Sequence, residues 1–422
     1  MNSTQHVEEK ARRAKTASVQ MRSVSSAVKD AALHAMANSL VARQAEIFAA
    51  NELDLVAGRE KGLSEAMLDR LKLNASRVED MAAGCRQVAS LPDPVGRVLG
   101  GWNRPNGLKI EQIRTPLGVI GVIYESRPNV TVEAAILCLK AGNAVVLRGG
   151  SEAIHSNVLL WKIISEAASA TGIPDGAIEM IEITDREATN SLVTLNDYID
   201  LVVPRGGEGL KKTLSAVATV PLIFAAGGVC HIFVDESVDA SAQYSDAINI
   251  IHNAKTQRPS TCNALETLLV HRNIADSFLP IVAENLQAAK VELRGDEYSS
   301  RVLPNIQAAR PEDWAAEYGT LILAIRVVEN LDEAIAHIGE FGTGHSDAIL
   351  TQNYAHAEEF VNRVDSAAVY VNASTRFTDG FEFGLGAEVG ISTQKLHARG
   401  PMGLEALTST KYIVRGNGQI RA

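Results

Sequence analysis

Cysteine is scarce: four in 422 residues (Cys85, Cys138, Cys230, Cys262), too few and too scattered to form a disulfide framework. They read as free thiols of a reducing, cytoplasmic compartment. Positive charge is also in deficit. The 40 Lys and Arg against 50 Asp and Glu leave a net charge of −10, which excludes a general attraction to nucleic acid or to an anionic membrane. A local basic pocket for a small anion stays open. No apolar run reaches the roughly 18 residues of a membrane span, and Met1 to Lys15 lacks the apolar stretch of a secretory signal. There is no Gly-Lys pair, hence no P-loop, and neither His-Glu-x-x-His nor Cys-x-x-Cys, hence no expected metal site. No Gly-x-Gly-x-x-Gly follows a strand, since Gly384-Leu-Gly386 with Gly390 has the wrong spacing. A dinucleotide, if bound, must be held in another way.

What is present is ordered along the chain. The first proline is Pro92, and Ser3 to Leu91 has helix-forming composition with glycine only at 58, 62 and 84. Pro92, Pro94, Gly96, Gly100, Gly101 and Pro105 read as an exposed connector. Leu108–Thr115 alternates apolar and polar residues, as does Lys411–Arg415, and the two are expected to pair as a protruding antiparallel arm that favours joining a second subunit. From Gly118 short apolar runs alternate with helical stretches. They run through Val119–Ile123, Ala144–Leu147, Ile178–Ile181, Leu201–Val203 and Leu222–Phe224, then Ile232–Val234, Thr267–Val270, Leu321–Val328, Ala348–Leu350 and Val369–Val371. This predicts two doubly wound α/β domains in tandem with a cleft between them.

Several segments carry chemistry. Cys262, in Thr256-Gln-Arg-Pro-Ser-Thr-Cys262, lies on a loop with Lys255 and Arg258 close before it, where positive charge would stabilise a thiolate and hold an anionic group. These residues alone leave Cys262 open between a nucleophile and a small buried turn residue. Cys138, Cys85 and Cys230 read as packing. Leu147-Arg-Gly-Gly-Ser-Glu152 and Val203-Pro-Arg-Gly-Gly-Glu208 each end a strand and open a helix, and together they could hold a dinucleotide's phosphates. Asn129, after Glu125-Ser-Arg-Pro, could donate to an oxyanion, cap the following helix, or do both. Tyr370–Phe377 and His397–Pro401 suit a loop-built substrate pocket.

Gly118–Val130, Leu139–Ser151, Gln257–Cys262, His397–Gly403 and Lys411–Gly418, in that order, resemble the gamma-glutamyl phosphate reductase family of the aldehyde dehydrogenase superfamily. The resemblance implies an aldehyde dehydrogenase-like fold and NADPH-dependent reduction of L-glutamyl 5-phosphate to L-glutamate 5-semialdehyde, the second step of proline biosynthesis from glutamate. It implies a thioester on Cys262, with Asn129 and the Cys262 N–H at the oxyanion. Arg148, Gly149, Ser151, Gly206, Gly207 and Glu317 are then expected at NADP, and Arg127, Arg258, Asn372, Ser374, His397 and Arg399 at the substrate. A homodimer or homotetramer and channelling from glutamate 5-kinase are further implications. The expected division is 1–106, 119–233 and 368–403 for the NADP-binding domain, 234–367 for the catalytic domain, and 107–118 with 404–422 for oligomerisation strands. One departure stands out: Phe224–Cys230 lacks the Glu that aldehyde-oxidising relatives use to activate water. That speaks against a hydrolytic semialdehyde dehydrogenase. A Cys-dependent acyl transferase would need an activating His near Cys262, and the sequence displays none clearly. A binding-only relative would not need the intact Cys262 loop.

Overall fold

The stretch before Pro92 forms helices whose starts carry their own acceptors. Asn2, Ser25, Ser64 and Asn74 accept a first-turn N–H from Ser3–Met21, Ser26–Ala42, Glu65–Leu71 and Ala75–Ser90, and Gln44–Glu60 lies between. A computed structural model describes residues 2–225, 227–238, 240 and 244–421, apart from the side chains of Ala66 and Glu208. The chain divides into two units: Met1–Ala225 with Gly384–Gly390 and Met402–Ala422, and Ala226–Phe383 with Ile391–Pro401.

In the first unit a parallel sheet runs in the order Ile178–Met180, Ala144–Gly149, Val119–Tyr124, Leu201–Arg205. Val119–Tyr124 is buried along its length, as a short apolar run in a central parallel strand should be. Val7, Ala11 and Ala14 of the first helix pack in one core with Val119, Val146 and Val202. Cys138 and Cys85 are buried packing residues, as read from the sequence. Two buried lysines tie the helical layer together: Lys29 pairs with Asp93, and Lys140 pairs with Asp30 while donating to Ala89 O. The strand expected at Leu222–Phe224 shrinks to a single bridge between Val202 and Leu222, because Pro221 beside it has no N–H to extend a ladder.

The first unit also carries the expected arm, with Lys109–Pro116 antiparallel to Thr408–Arg415 and Lys411 opposite Ile113. The proline- and glycine-rich segment before it is not a plain connector. Val98–Asn103 forms a third antiparallel strand, and Gly101 permits it, since a Cβ there would stand 3.0 Å from Ile110 O. Trp102, Tyr412 and Val414 are exposed on this sheet.

The second unit holds a parallel sheet in the order Gln307–Ala308, Glu292–Gly295, Ile322–Val328, Leu265–His271, Cys230–Val234, Ser346–Leu350, Ala368–Val371. Ser245–Thr256 and Arg272–Ala288 cover one face through Ile251, Phe278 and Val282, and Leu331–Phe341 and Tyr354–Arg363 cover the other through Ile338 and Phe360. This pairing moves the expected domain edges. Cys230–Val234 and Ala368–Val371 both bond to Ser346–Leu350, so they belong to this sheet rather than to the dinucleotide-type unit. Glu292–Gly295 and Gln307–Ala308 extend it where the sequence shows no clean apolar run. Among the described residues no helix is long and apolar enough to cross a membrane.

Candidate active site

In the second unit the helix Ser245–Thr256 ends in a tight turn, where Thr261 N and Oγ1 both donate to Arg258 O, and Cys262 follows before the strand Leu265–His271. The backbone is squeezed there. Gly228 lies so close to Cys262 that a Cβ would stand 1.6 Å from the Cys262 carbonyl oxygen. Cys262 is partly exposed, whereas Cys85, Cys138 and Cys230 are buried. Burial pushes the thiols of Cys85 and Cys138 up to about 12 and raises that of Cys230 well above its ordinary value, so all three stay protonated and unreactive. Cys230 spends its S–H on Cys262 O at 3.2 Å.

The partner that the sequence did not reveal is His345. Its Nε2 lies 3.1 Å from Cys262 Sγ, across 83 residues of chain. The ring is fully buried, and its Nδ1 meets Ser346 Oγ at 2.8 Å. Ser346 Oγ meets Thr378 Oγ1 at 2.6 Å, and Thr378 Oγ1 meets Tyr370 Oη at 2.6 Å. This hydroxyl chain orients the imidazole. Burial lowers His345 to about 4, so at neutral pH it is an uncharged base. Lys255 is a different matter from what its position suggested. It is buried and bonded to Glu266 Oε2 at 2.6 Å, so its charge goes to Glu266 rather than to the nucleophile. Burial raises Glu266 to about 7 against the pull of Lys255.

The other expected residues of this unit have definite partners. Glu317 Oε1 accepts Gly228 N–H at 3.1 Å, and a Cβ on Gly227 would meet Glu317 Oε2 at 2.3 Å. Asn372 spends its amide on Thr351 N and Thr351 O, and Ser374 Oγ accepts Arg376 N at 3.3 Å. Arg399 pairs with Asp365 at 2.8 Å, and His397 lies on the same segment before Gly400–Pro401. Arg258 is exposed on the turn before the nucleophile.

In the first unit Asn129 opens the helix Asn129–Lys140 and donates one Nδ2 hydrogen to Glu133 Oε1 at 2.6 Å, leaving the amide a second hydrogen. Pro128, not Asn129, is the cap. Ser126 adopts φ 53°, held by Glu152 Oε1, which accepts Ser126 N at 2.6 Å and Ser126 Oγ at 2.9 Å. That turn carries Arg127 and Asn129 past the end of the strand Val119–Tyr124. A cavity of about 520 Å³ is lined by Lys61, Arg148, Gly150, Ser151, Glu152 and His155 among others. Arg148 donates to Gly149 O and Thr184 O, while its Nε is buried without a hydrogen-bond partner. At the second turn a Cβ on Gly206 would stand 2.6 Å from Leu210 Cδ2, which a larger residue would have to displace, and Gly207 begins the helix Glu208–Val217 with no side-chain cap. A cation-lined cavity, an orphaned guanidinium nitrogen and an uncapped helix start are donors suited to a phosphate-bearing dinucleotide. Lys61, from the helical layer, is the lining cation that the strand-end motifs did not include.

The sequence pattern of the aldehyde dehydrogenase family matches residues 1–316. The chain is 58% identical over 421 residues to the gamma-glutamyl phosphate reductase of Moorella thermoacetica, covering 100% of both. It is 56% identical over 421 residues to that of Clostridium novyi, again covering 100% of both. The crystal structure of the gamma-glutamyl phosphate reductase of Thermotoga maritima superposes with a TM-score of 0.96 at 49% identity, covering 99% of this chain and 100% of that one.

Proposed function

The chain belongs to the aldehyde dehydrogenase family, among its gamma-glutamyl phosphate reductases, and from that premise we propose that it reduces L-glutamyl 5-phosphate to L-glutamate 5-semialdehyde through an acyl group carried on Cys262. The observation that carries this reading is the His345 Nε2 to Cys262 Sγ distance of 3.1 Å. His345 takes the thiol proton as the sulfur bonds to C5 of the substrate. The C5–O bond to phosphate breaks, and a thioester remains. Asn129, with its second amide hydrogen, and the Cys262 N–H are the proposed donors to the carbonyl oxygen as it gains charge. Reduced nicotinamide, when bound, supplies the hydride that converts the thioester carbon to the aldehyde oxidation state. Cys262 then leaves as thiolate while the carbonyl re-forms. In net terms the thiol proton departs with hydrogenphosphate, and one proton from water restores the thiol.

As a member of this family the protein uses a nicotinamide dinucleotide. Arg148, Gly149, Ser151, Gly206, Gly207 and Glu317 are the residues proposed to hold it. NADPH over NADH is supported by the cavity lining, where Lys61 and Arg148 supply positive charge and Ser151 brings none of the opposite sign. The Glu152 carboxylate beside them is turned to the Ser126 N–H and Oγ–H, which it accepts through Oε1. The absence of any Glu from Phe224 to Cys230 favours phosphate over water as the acyl partner, though Ala226 in that segment lies outside the described residues. For the substrate, Arg258, Arg127 and His397 are proposed contacts; the ties of Asn372, Ser374 and Arg399 to Thr351, Arg376 and Asp365 suit residues that shape the pocket wall. The exposed apolar residues of the antiparallel sheet support its use in a homodimer or homotetramer. A cytoplasmic location and delivery of the labile acyl phosphate by glutamate 5-kinase complete the proposal.

His345 is also what the acyl transferase reading required, so the two must be separated by experiment. Purified protein is given glutamate semialdehyde and NADP⁺, and reduced nicotinamide is followed with and without inorganic phosphate. Signal that needs phosphate and vanishes in Cys262→Ala supports the reductase. Signal without phosphate indicates the hydrolytic dehydrogenase, and none under either condition leaves the transferase or a binding-only protein.

A further inference from the structure

The turn that carries Arg376 is pinned to the nucleophile's own loop. Asn263, next to Cys262, donates Nδ2 to the carbonyls of Arg376 at 3.1 Å and Thr378 at 2.9 Å. Thr375 Oγ1 returns a bond to Asn263 O at 2.8 Å, and Arg376 Nε donates to Gln257 Oε1 at 2.8 Å. These contacts hold the Arg376 side chain beside Gln257 and Arg258, within electrostatic reach of the Cys262 sulfur. Burial, and then the neighbouring Arg258 charge, pull Arg376 below the usual guanidinium value.

Neither cation is matched by the protein. Among the described residues Arg258 makes no side-chain hydrogen bond or ion pair, and the Arg376 guanidinium bonds only to the neutral Gln257. Arg272, Arg294 and Arg363 by contrast each pair with a carboxylate, namely Glu329, Asp313 and Asp332. Asp379, whose charge does reach Arg376, spends Oδ1 on Phe381 N and Glu382 N. The planar donors of two guanidiniums without a carboxylate partner suit the oxygens of a phosphate.

We propose that Arg376 and Arg258 form a two-guanidinium clamp for the phosphate group that leaves C5 in the forward reaction and attacks the acyl group in reverse. The inference rests on the reading of Cys262 as the residue acylated by an acyl phosphate. In the clamp Arg376 is the half-buried, fixed member and Arg258 the exposed, adaptable one.

The test uses the reverse reaction and a binding measurement that needs no turnover. Arg376→Gln should raise the KM for inorganic phosphate roughly 10- to 100-fold, the worth of charge-assisted bonds, with the KM for the semialdehyde within about twofold. Arg376→Lys should recover part of the loss, because it keeps the charge and not the fork. In ligand-free protein at constant ionic strength, inorganic phosphate should slow alkylation of Cys262 by iodoacetamide, and Arg376→Gln should abolish that protection. If Arg376→Gln melts early, Arg258→Gln on the exposed turn carries the same comparison. An unchanged phosphate KM with intact protection overturns the clamp. So does a rise in the semialdehyde KM alone, which would assign the pair to the substrate's α-carboxylate. If the unaltered protein shows no phosphate-dependent turnover, the functional reading falls instead, and lack of phosphate protection there overturns the clamp as well.

Discussion

Replacing His345 with Gln isolates the pairing on which the chemistry depends. Gln keeps a group able to bond Ser346 but cannot accept the Cys262 proton. Because His345 is uncharged at neutral pH, it takes the proton only as the sulfur attacks, and loss of that transfer should cost about 10²–10⁴ in acylation. The pH profile carries the signature of the base. His345 stays neutral down to about 4, so acylation by the unaltered protein should vary little above pH about 5. In His345→Gln the rate should climb about tenfold per pH unit until the thiol ionises on its own, and then level off below the unaltered rate. The assay is single-turnover phosphate release, with iodoacetamide alkylation of Cys262 as the substrate-free counterpart and a melting curve to confirm the fold. A variant that reacts within about threefold of the unaltered protein at pH about 7, with a parallel pH profile, would refute the argument that His345 activates Cys262.

Three further expectations follow from packing and charge. Gly228→Ala places a methyl group 1.6 Å from Cys262 O, so it should either move the nucleophile, slowing alkylation of Cys262 more than tenfold, or lower stability by about 3 kcal/mol or more. Normal alkylation and melting together would contradict the close approach. His337 is lowered to about 3, by burial and then by His231, and is neutral when folded but protonates below about 6.5 when unfolded. The unfolded chain thus binds the extra proton, so stability is present above about 6.5 and falls on acidification, by about 2 kcal/mol at pH 5 for this residue. Denaturant unfolding at the two pH values should show that loss shrinking in His337→Phe, and an equal loss in both would refute the assignment. Lys61→Glu should weaken binding of 2′,5′-ADP about tenfold in calorimetry, while AMP, which lacks the 2′-phosphate, is affected less. Equal effects on the two would remove Lys61 from the 2′-phosphate.

Most of the fold was legible because it follows local patterning. The runs Val119–Ile123, Ala144–Leu147 and Leu201–Val203 are short and uninterrupted by charge, as strands buried on both faces tend to be, and each lies in a strand, as does Thr267–Val270. The errors arose where local chemistry and tertiary pairing disagree. Gly100 and Gly101 signal a turn, yet the lack of a side chain at Gly101 is what lets Val98–Asn103 lie against Ile110 as a strand. Val369–Val371 was visible as a strand, but its sequence does not encode its neighbour. Ser346–Leu350 settled its membership of the second sheet.

The site divides along the same line. Cys262 and the glycine turns are readable because a reactive loop and a strand-to-helix turn announce themselves within a few residues. His345 does not. It lies at the head of a strand in Gly344-His345-Ser346-Asp347, a setting that looks like ordinary packing, and its role appears only when the strand is laid down beside Cys230–Val234. Lys255 errs in the opposite sense: three residues before Arg258 in a promising loop, it is turned inward by the helix that bears it and meets Glu266. Sequence proximity put a cation next to the nucleophile that the fold takes away, and the fold supplies a base that sequence proximity could not show. Reactivity at Cys262 should therefore respond strongly to His345 and only indirectly to Lys255, and comparing alkylation rates of His345→Gln and Lys255→Met measures that ordering directly. A larger loss from Lys255→Met in a protein of unaltered melting temperature would reverse it.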